Sequence, residues 1–227
     1  MESTVSIIIP TLNEEQALPA TLACLKVLKG WPLEVIVSDA GSTDRTLEIA
    51  HQFGAKVLTG ARGRGPQQHL GAMEASGEVL WFLHADTHLP PNALEALRAA
   101  LASSEVIGGH FHLRFTGTSF GARFVTGYQF LLRKLKFTYG DTAIFLRRSA
   151  YRQSGGFAAI PLFDDLELTR KVRRLGRFIS VPVVVTTSSR RFEGRLGRTL
   201  FQWLLLQALY DVGVSSKRLA RLYRHLR

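Results

Sequence analysis

Apolar residues in the first hundred positions follow two rhythms that take turns. Val5-Ser6-Ile7-Ile8-Ile9 is a β-branched run closed by Pro10, and Leu33-Glu34-Val35-Ile36-Val37-Ser38 is a second strand-like run. Between them the leucines at 18, 22 and 25 recur at helical spacing, with Pro19 suited to a first helical position. Ser42 offers a hydroxyl cap to a helix predicted from about Thr43 to Phe53. Val57-Leu58 reads as a short strand, and the glycine-rich segment Gly60 to Gly65 leads into a helix near Gln67 to Ala75. Val79-Leu80-Trp81-Phe82-Leu83 is continuously apolar, as strands buried on both faces of a parallel sheet are. Another helix follows Pro90-Pro91. Strand and helix in this alternation predict an α/β fold, a doubly wound, mostly parallel sheet flanked by helices.

Beyond about residue 105 the rhythm changes. Val106 to Phe115 and Thr142 to Leu146 read as strands, with an amphipathic helix from Ser119 to Lys136 between them. Asp164 to Leu175 is helical by spacing, Phe178 to Thr186 is extended, and the last 30 or so residues are helical. No linker, repeat or low-complexity tract divides the chain. The economical organisation is one domain over residues 1–190 with a basic, amphipathic helical extension over 191–227.

Composition adds bounds. With 46% hydrophobic and 21% charged residues, the 227-residue chain has the makeup of a globular domain. Its single cysteine, Cys24, makes no internal disulfide, and no Cys/His spacing suggests structural zinc. The N-terminus lacks the basic-then-apolar order of a signal peptide, which predicts a cytoplasmic protein. The longest apolar stretch, Leu200 to Leu209, is half of what a membrane span needs and contains Gln202 and Gln207.

The formal net charge is +11, and its position matters. Residues 1–169 hold 15 basic and 16 acidic side chains; residues 170–227 hold 14 basic and two acidic ones. Nucleic-acid binders usually spread basic residues through the fold and interleave aromatics for stacking; here the basic residues are confined to the last quarter and flank an apolar stretch instead, so no nucleic-acid partner is expected. Leu196, Leu200, Trp203, Leu204 and Leu206 among Arg190, Arg191, Arg195 and Arg198 suit an anionic bilayer surface, with packing on the domain or on a second copy (a homodimer) as the rival.

Ligands of open α/β sheets bind beyond the C-terminal ends of the strands. Each predicted strand of the first half ends in polar groups: Thr11-Leu12-Asn13-Glu14-Glu15, Asp39-Ala40-Gly41-Ser42-Thr43-Asp44, Arg62-Gly63-Arg64-Gly65 and His84-Ala85-Asp86. Four such ends on one edge predict a ligand site. The first strand lacks the Gly-x-Gly-x-x-Gly turn of dinucleotide folds, and no P-loop occurs.

The ordered set Ile7-Ile8-Ile9-Pro10-Thr11-Leu12-Asn13-Glu14-Glu15, Val35 to Asp44, Gly63-Arg64-Gly65, Phe82 to Thr87 and Asp164-Asp165-Leu166-Glu167-Leu168 closely resembles family 2 glycosyltransferases of the GT-A fold, over residues 4–190. It is most similar to small, stand-alone bacterial members with a His-Ala-Asp motif. The resemblance implies inverting transfer of a sugar from a nucleotide-sugar donor, UDP- or GDP-linked, to an acceptor hydroxyl of a lipid, cell-envelope or secondary-metabolite type. It implies a nucleoside pocket formed by Pro10, Thr11, Asn13, Glu14, Asp39 and Ser42, with Asp39 accepting from the base, and a diphosphate region with Arg64 and Gln67. His84 and Asp86 stand where the family carries its Asp-x-Asp metal motif. Asp86 is a good oxygen ligand for Mg²⁺ or Mn²⁺, whereas imidazole suits Mg²⁺ poorly, so His84 is alternatively a hydrogen-bonding group near the sugar. Asp165 would be the general base, and Gly140, Asp141, Asp164 and Arg191 the acceptor side. Such an enzyme would work at the inner face of the cell membrane. The rival reading is a non-catalytic nucleotide-sugar-binding or regulatory protein with a degenerate metal motif. His110 and His112 alternate on a strand without a nearby carboxylate and are read as exposed or core-edge side chains.

Overall fold

A computed structural model describes residues 4–28, 33–117, 121, 123–127, 138–188 and 196–226. Among the described residues seven strands form one sheet: β1 (Val5–Thr11), β2 (Leu33–Asp39), β3 (Lys56–Thr59), β4 (Val79–Phe82), β5 (Val106–Phe115), β6 (Phe145–Arg147) and β7 (Arg177–Thr187), in the order β3-β2-β1-β4-β6-β5-β7. β6 pairs antiparallel with both β4 and β5, and the remaining pairs are parallel. Because only β6 is reversed, the C-terminal ends of the other six strands and the segment entering β6 all meet at one edge.

Alternation along the strands builds two cores. Ile7 and Ile9 of β1, Val35 and Val37 of β2 and Trp81 of β4 face one side, where they meet α1 (Leu18–Lys26), α2 (Thr46–Phe53) and α4 (Ala93–Ala100) through Leu22, Ala50 and Leu97. Ile8, Ile36, Leu80 and Phe82 face the other side, against α3 (Arg64–Met73), α5 (Arg148–Gln153) and α6 (Asp164–Val172). The strands are therefore apolar on both faces, which explains their unbroken hydrophobic runs. Two further helices, α7 (Leu196–Asp211) and α8 (Ser216–Leu226), close the chain.

Three details depart from the sequence reading, and a fourth lies largely outside the described residues. α2 begins at Thr46, and Ser42 does not cap it: the Ser42 hydroxyl turns back to Asp39 while Asp44 Oδ1 accepts from the Thr46 amide. The strand expected from Thr142 is shorter, because Gly140–Thr142 forms a 3₁₀ turn and Ala143 has a φ of 53°. The helix α5 carries no strong periodic signal and was not expected. Of the helix expected over 119–136, residues 123–127 are helical and most of the rest lies outside the described residues.

Candidate functional site

The loops after β1 and β2 are knitted together by side chains that the sequence singled out. Asn13 sits in the left-handed region at φ 55°, which asparagine tolerates better than most residues. Its amide donates to Ser42 Oγ and its Oδ1 accepts from the Thr43 amide, while the Glu14 and Glu15 amides donate to Thr46 Oγ1 and Asp44 Oδ2. Asp39 lies at the centre, fully buried. Its carboxylate accepts from Thr11 Oγ1 (2.8 Å), Ser42 Oγ (2.5 Å) and the amides of Gly41 (2.8 Å) and Ser42 (2.7 Å). Burial works to raise its pKa, and these four bonds more than offset that, so Asp39 stays below the usual carboxylate range. All its lone-pair positions are used inside the chain; Asp39 organises this loop.

Gln67 belongs to the same framework. It is buried in α3, and its Nε2 donates to the carbonyls of Thr11 and Ser38 at 2.7 Å each. That clips the ends of β1 and β2 together.

A second group converges on a cavity of about 260 Å³ beyond the ends of β4, β5 and β7. Arg64, His84, Asp86, Gly140, Asp141 and Asp165 all line it, drawn from four segments of the chain. The turn after β4 is fixed by a pair of backbone hydrogen bonds between His88 and Thr186, and Thr187 Oγ1 donates to Asp86 Oδ1 at 3.1 Å. Gly140 marks the closest approach: a Cβ there would stand 3.0 Å from His84 Nε2 and 3.2 Å from Asp165 Oδ2. Any larger residue would push on both.

The acids open α6, where three carboxylates in the first turn favour the helix dipole. Phe163, just before them, has a φ of 64°, which is strained for a bulky residue. Its ring stacks on Tyr210 of α7 with centroids 4.5 Å apart. Asp165 is 4% exposed at its side chain and accepts from the amides of Gly140 (2.6 Å) and Leu166 (2.7 Å) and from Arg64 (3.1 Å). Arg64 also bonds Asp164 at 2.5 Å. Gly65 permits this approach, since a Cβ there would sit 2.9 Å from the Ala158 carbonyl and 3.1 Å from Asp164 Cβ. Burial raises the Asp165 pKa, Arg64 opposes the rise, and Asp164 adds to it. Asp164 itself is buried behind Arg64 and does not line the cavity.

The remaining wall was not legible as a site. Phe115, Tyr139, Leu162, Phe163, Thr187 and Ser188 line it from the domain, and Trp203, Leu206, Gln207 and Tyr223 from α7 and α8. Thr187 and Ser188 end a strand on the same edge as the four predicted ends, so the same rule applied to β7 would have found them. For Trp203 and Leu206 the structure follows the rival reading, packing on the domain: Leu206 is buried, and Leu200 and Trp203 pack on the main core. Tyr139 Oη donates to Gln207 Oε1, Ser216 Oγ exchanges two hydrogen bonds with the Leu162 backbone, and Arg170 pairs with Asp211. Pro10 remains in β1, half-buried and away from the cavity. Arg191, with Arg190 and Arg195, lies outside the described residues. His110 is buried with its ring stacked on Phe178 at 5.8 Å, a packing role.

Among the described residues no three His, Cys, Asp or Glu side chains cluster as a ready cation cage, and no helix is long and apolar enough to cross a membrane.

The glycosyl transferase family 2 model matches residues 6–155. A dolichol-phosphate mannosyltransferase of Pyrococcus furiosus is 27% identical over 88% of this chain and 61% of its own length. A 4,4'-diaponeurosporenoate glycosyltransferase of Staphylococcus haemolyticus is 36% identical over 46% of this chain and 30% of its own. The chain thus spans less than two thirds of either relative. Among solved structures, a mannosyltransferase of Pyrobaculum calidifontis in complex with GDP-Man and Mn²⁺ aligns with a TM-score of 0.70 at 20% identity, over 95% of this chain and 66% of that one. The seven-stranded sheet is that of the GT-A fold, and the family match over two thirds of its length makes this chain a member of glycosyl transferase family 2.

Proposed function

We propose that this protein is an inverting glycosyltransferase that moves a sugar from a nucleotide-sugar donor to an acceptor hydroxyl. The observation that carries the reading is the convergence of Arg64, His84, Asp86 and buried Asp165 on one cavity at the strand-end edge. The paired loops of Thr11, Asn13, Glu14 and Ser42 frame the nucleoside, and Asp39 takes a base N–H when the Ser42 hydroxyl rotates away. Arg64 supplies a permanent cation to the diphosphate. Asp165 is the base: the acceptor oxygen attacks the anomeric carbon, the bond to the diphosphate breaks, and the hydroxyl proton passes to the Asp165 carboxylate. A raised pKa suits that task near neutral pH.

A divalent cation, Mn²⁺ or Mg²⁺, fits the donor set. Such ions are commonly held by one or two carboxylates with substrate phosphates completing the shell, and Asp86, fixed by Thr187, provides one at the cavity. His84 then lies beside the sugar. When bound, the ion would stabilise the leaving diphosphate. The names of the relatives, which give 4,4'-diaponeurosporenoate and dolichol phosphate, and exposed Phe201 and Leu204 on a helix that packs against basic α8, support an acceptor and a workplace at an anionic membrane. Incubating the purified protein with UDP- and GDP-sugars and Mn²⁺ tests the reading. Slow release of the free sugar is expected; binding without any hydrolysis or transfer would make it a non-catalytic binder.

A further inference from the structure

Two pieces of backbone hold Asp165: the first turn of α6, which carries it, and the Gly140 amide, which donates to it at 2.6 Å. One face of α7 reaches both. Tyr210 stacks its ring on Phe163, two residues before Asp165, with centroids 4.5 Å apart, and its Oη donates to Glu167, two residues after. The tyrosine therefore straddles Asp165 along the chain. Phe163 needs such a hold, because a bulky residue keeps a φ of 64° only where its surroundings fix it. Gln207, one turn before Tyr210 on α7, reaches the other piece. Its Oε1 accepts at 3.0 Å from the hydroxyl of Tyr139, the neighbour of Gly140. Asp211 turns the amide that way: its Oδ2 accepts from Gln207 Nε2 at 2.9 Å, while its Oδ1 pairs with Arg170 of α6. Tyr210 does not line the cavity, so any effect it has on the reaction passes through Phe163 and Glu167. A helix that only covered the fold would not need polar side chains on the residues either side of one carboxylate and beside its amide donor.

We infer that Tyr210 and Gln207 are positioning residues for Asp165, α7 holding the start of α6 and the Gly140 turn so that the carboxylate meets the attacking hydroxyl. The inference rests on the reading of Asp165 as the base. When water takes the place of the acceptor, its oxygen bonds to the anomeric carbon, the diphosphate leaves with the electron pair of the broken bond, and Asp165 receives the proton.

Release of free sugar from UDP- and GDP-sugars with Mn²⁺ is measured for wild type, Tyr210→Leu, Tyr210→Phe and Gln207→Leu, each with and without Asp165→Asn. With Asp165 present, both leucine variants should lose about tenfold or more in kcat while KM for the nucleotide sugar stays within about twofold, since misplacement costs rate rather than donor binding. Tyr210→Phe keeps the stack and should recover most of the rate. In the Asp165→Asn background the same substitutions should change the residual rate by less than about twofold, because no base is left to misplace. Gln207 also lines the cavity, so Tyr210 carries the decisive comparison. An unchanged rate in Tyr210→Leu, or an equal loss with and without Asp165, overturns the inference and leaves α7 a packing element. Asp165→Asn as fast as wild type removes the base reading, and the inference with it.

If no protein releases sugar, the donor reading falls and melting temperatures judge the brace. Burial raises the Asp165 pKa, so its contribution to stability is lost as pH rises through that value, and Asp165→Asn should flatten this part of the profile of Tm against pH. That difference should shrink in the Tyr210→Leu background, where the carboxylate is less firmly enclosed. The same difference in both backgrounds would show that Tyr210 does not hold Asp165.

Discussion

Arg64 reaches across the fold to Asp165, Nη2 to Oδ2 at 3.1 Å, while the same nitrogen holds Asp164 at 2.5 Å. The relation joins the start of α3 to the start of α6, one helix from the matched family region and one beyond it. It also lets two adjacent acids share a buried position, since the guanidinium and two amides meet charge that burial would otherwise expel.

Removing that cation should therefore be costly. Arg64→Ala leaves Asp164 and Asp165 buried without it, and because Arg64 is itself 36% exposed, the loss should sit near the low end for broken buried pairs, about 3 kcal/mol. The pH dependence gives the sign. Without Arg64 the folded-state pKa of Asp165 rises further above its unfolded value, so stability is retained at low pH and lost as pH rises through the folded pKa. Melting curves of wild type and variant should converge at acid pH and separate toward neutrality; a constant offset would contradict the pairing.

Asp165→Asn keeps the shape and removes the base. Transfer should fall by roughly 10²–10⁴-fold, the usual worth of general base catalysis, with UDP or GDP binding nearly unchanged. In the wild type, activity should rise with pH through a pKa above the ordinary carboxylate range, since burial favours the protonated form. A rate profile whose acid limb sits at an unperturbed carboxylate would place the base elsewhere.

Much of the sheet was legible because β1 and β2 carry β-branched apolar runs and β4 lies in a continuous apolar run, as strands buried on both faces do. The polar strand ends were legible for a topological reason, the convergence of parallel strands on one edge. Two things were not. Whether Asp39 and Gln67 point outward or inward depends on which backbone groups lie within reach, and here four donors fill Asp39 while two carbonyls take Gln67. Nor does helical spacing say which partner an apolar face meets. Trp203 and Leu206 face the cavity, whereas Phe201 and Leu204, on the same helix, are 65% and 54% exposed.

Gly140→Ala tests the closest approach in the site. The added methyl would crowd His84 Nε2 and Asp165 Oδ2 and strain the 2.6 Å bond from the Gly140 amide. Activity should drop at least as steeply as for a substitution at Asp141, with far-UV circular dichroism unchanged. Full activity in the alanine variant would mean that the 3₁₀ turn moves freely and does not hold the base.

Asp86→Ala addresses the cation. Mn²⁺ titrated in the presence of UDP or GDP and followed by electron paramagnetic resonance should bind at least tenfold more weakly to the variant. His84→Asp should retain activity and shift the preference toward Mg²⁺, because it exchanges an imidazole for an oxygen ligand. Identical Mn²⁺ uptake by wild type and Asp86→Ala would remove Asp86 from the metal site.

The outer face of α7 offers the last test. Phe201 and Leu204 are exposed, Val212 is 78% exposed in the turn that follows, and Lys217, Arg218 and Arg221 are exposed on α8, which packs against α7. Apolar side chains rimmed by cations suit an anionic bilayer, with each basic group near the surface worth about 1 kcal/mol. The protein should cosediment with phosphatidylglycerol vesicles and not with phosphatidylcholine ones, and salt should weaken the binding. The double variant Phe201→Glu, Leu204→Glu should abolish it with little change in Tm, since exposed substitutions rarely shift stability by more than about 0.5 kcal/mol. Should wild type ignore anionic vesicles at low salt and the double variant instead turn a dimer into a monomer in sedimentation, the face is covered by a second copy of the chain.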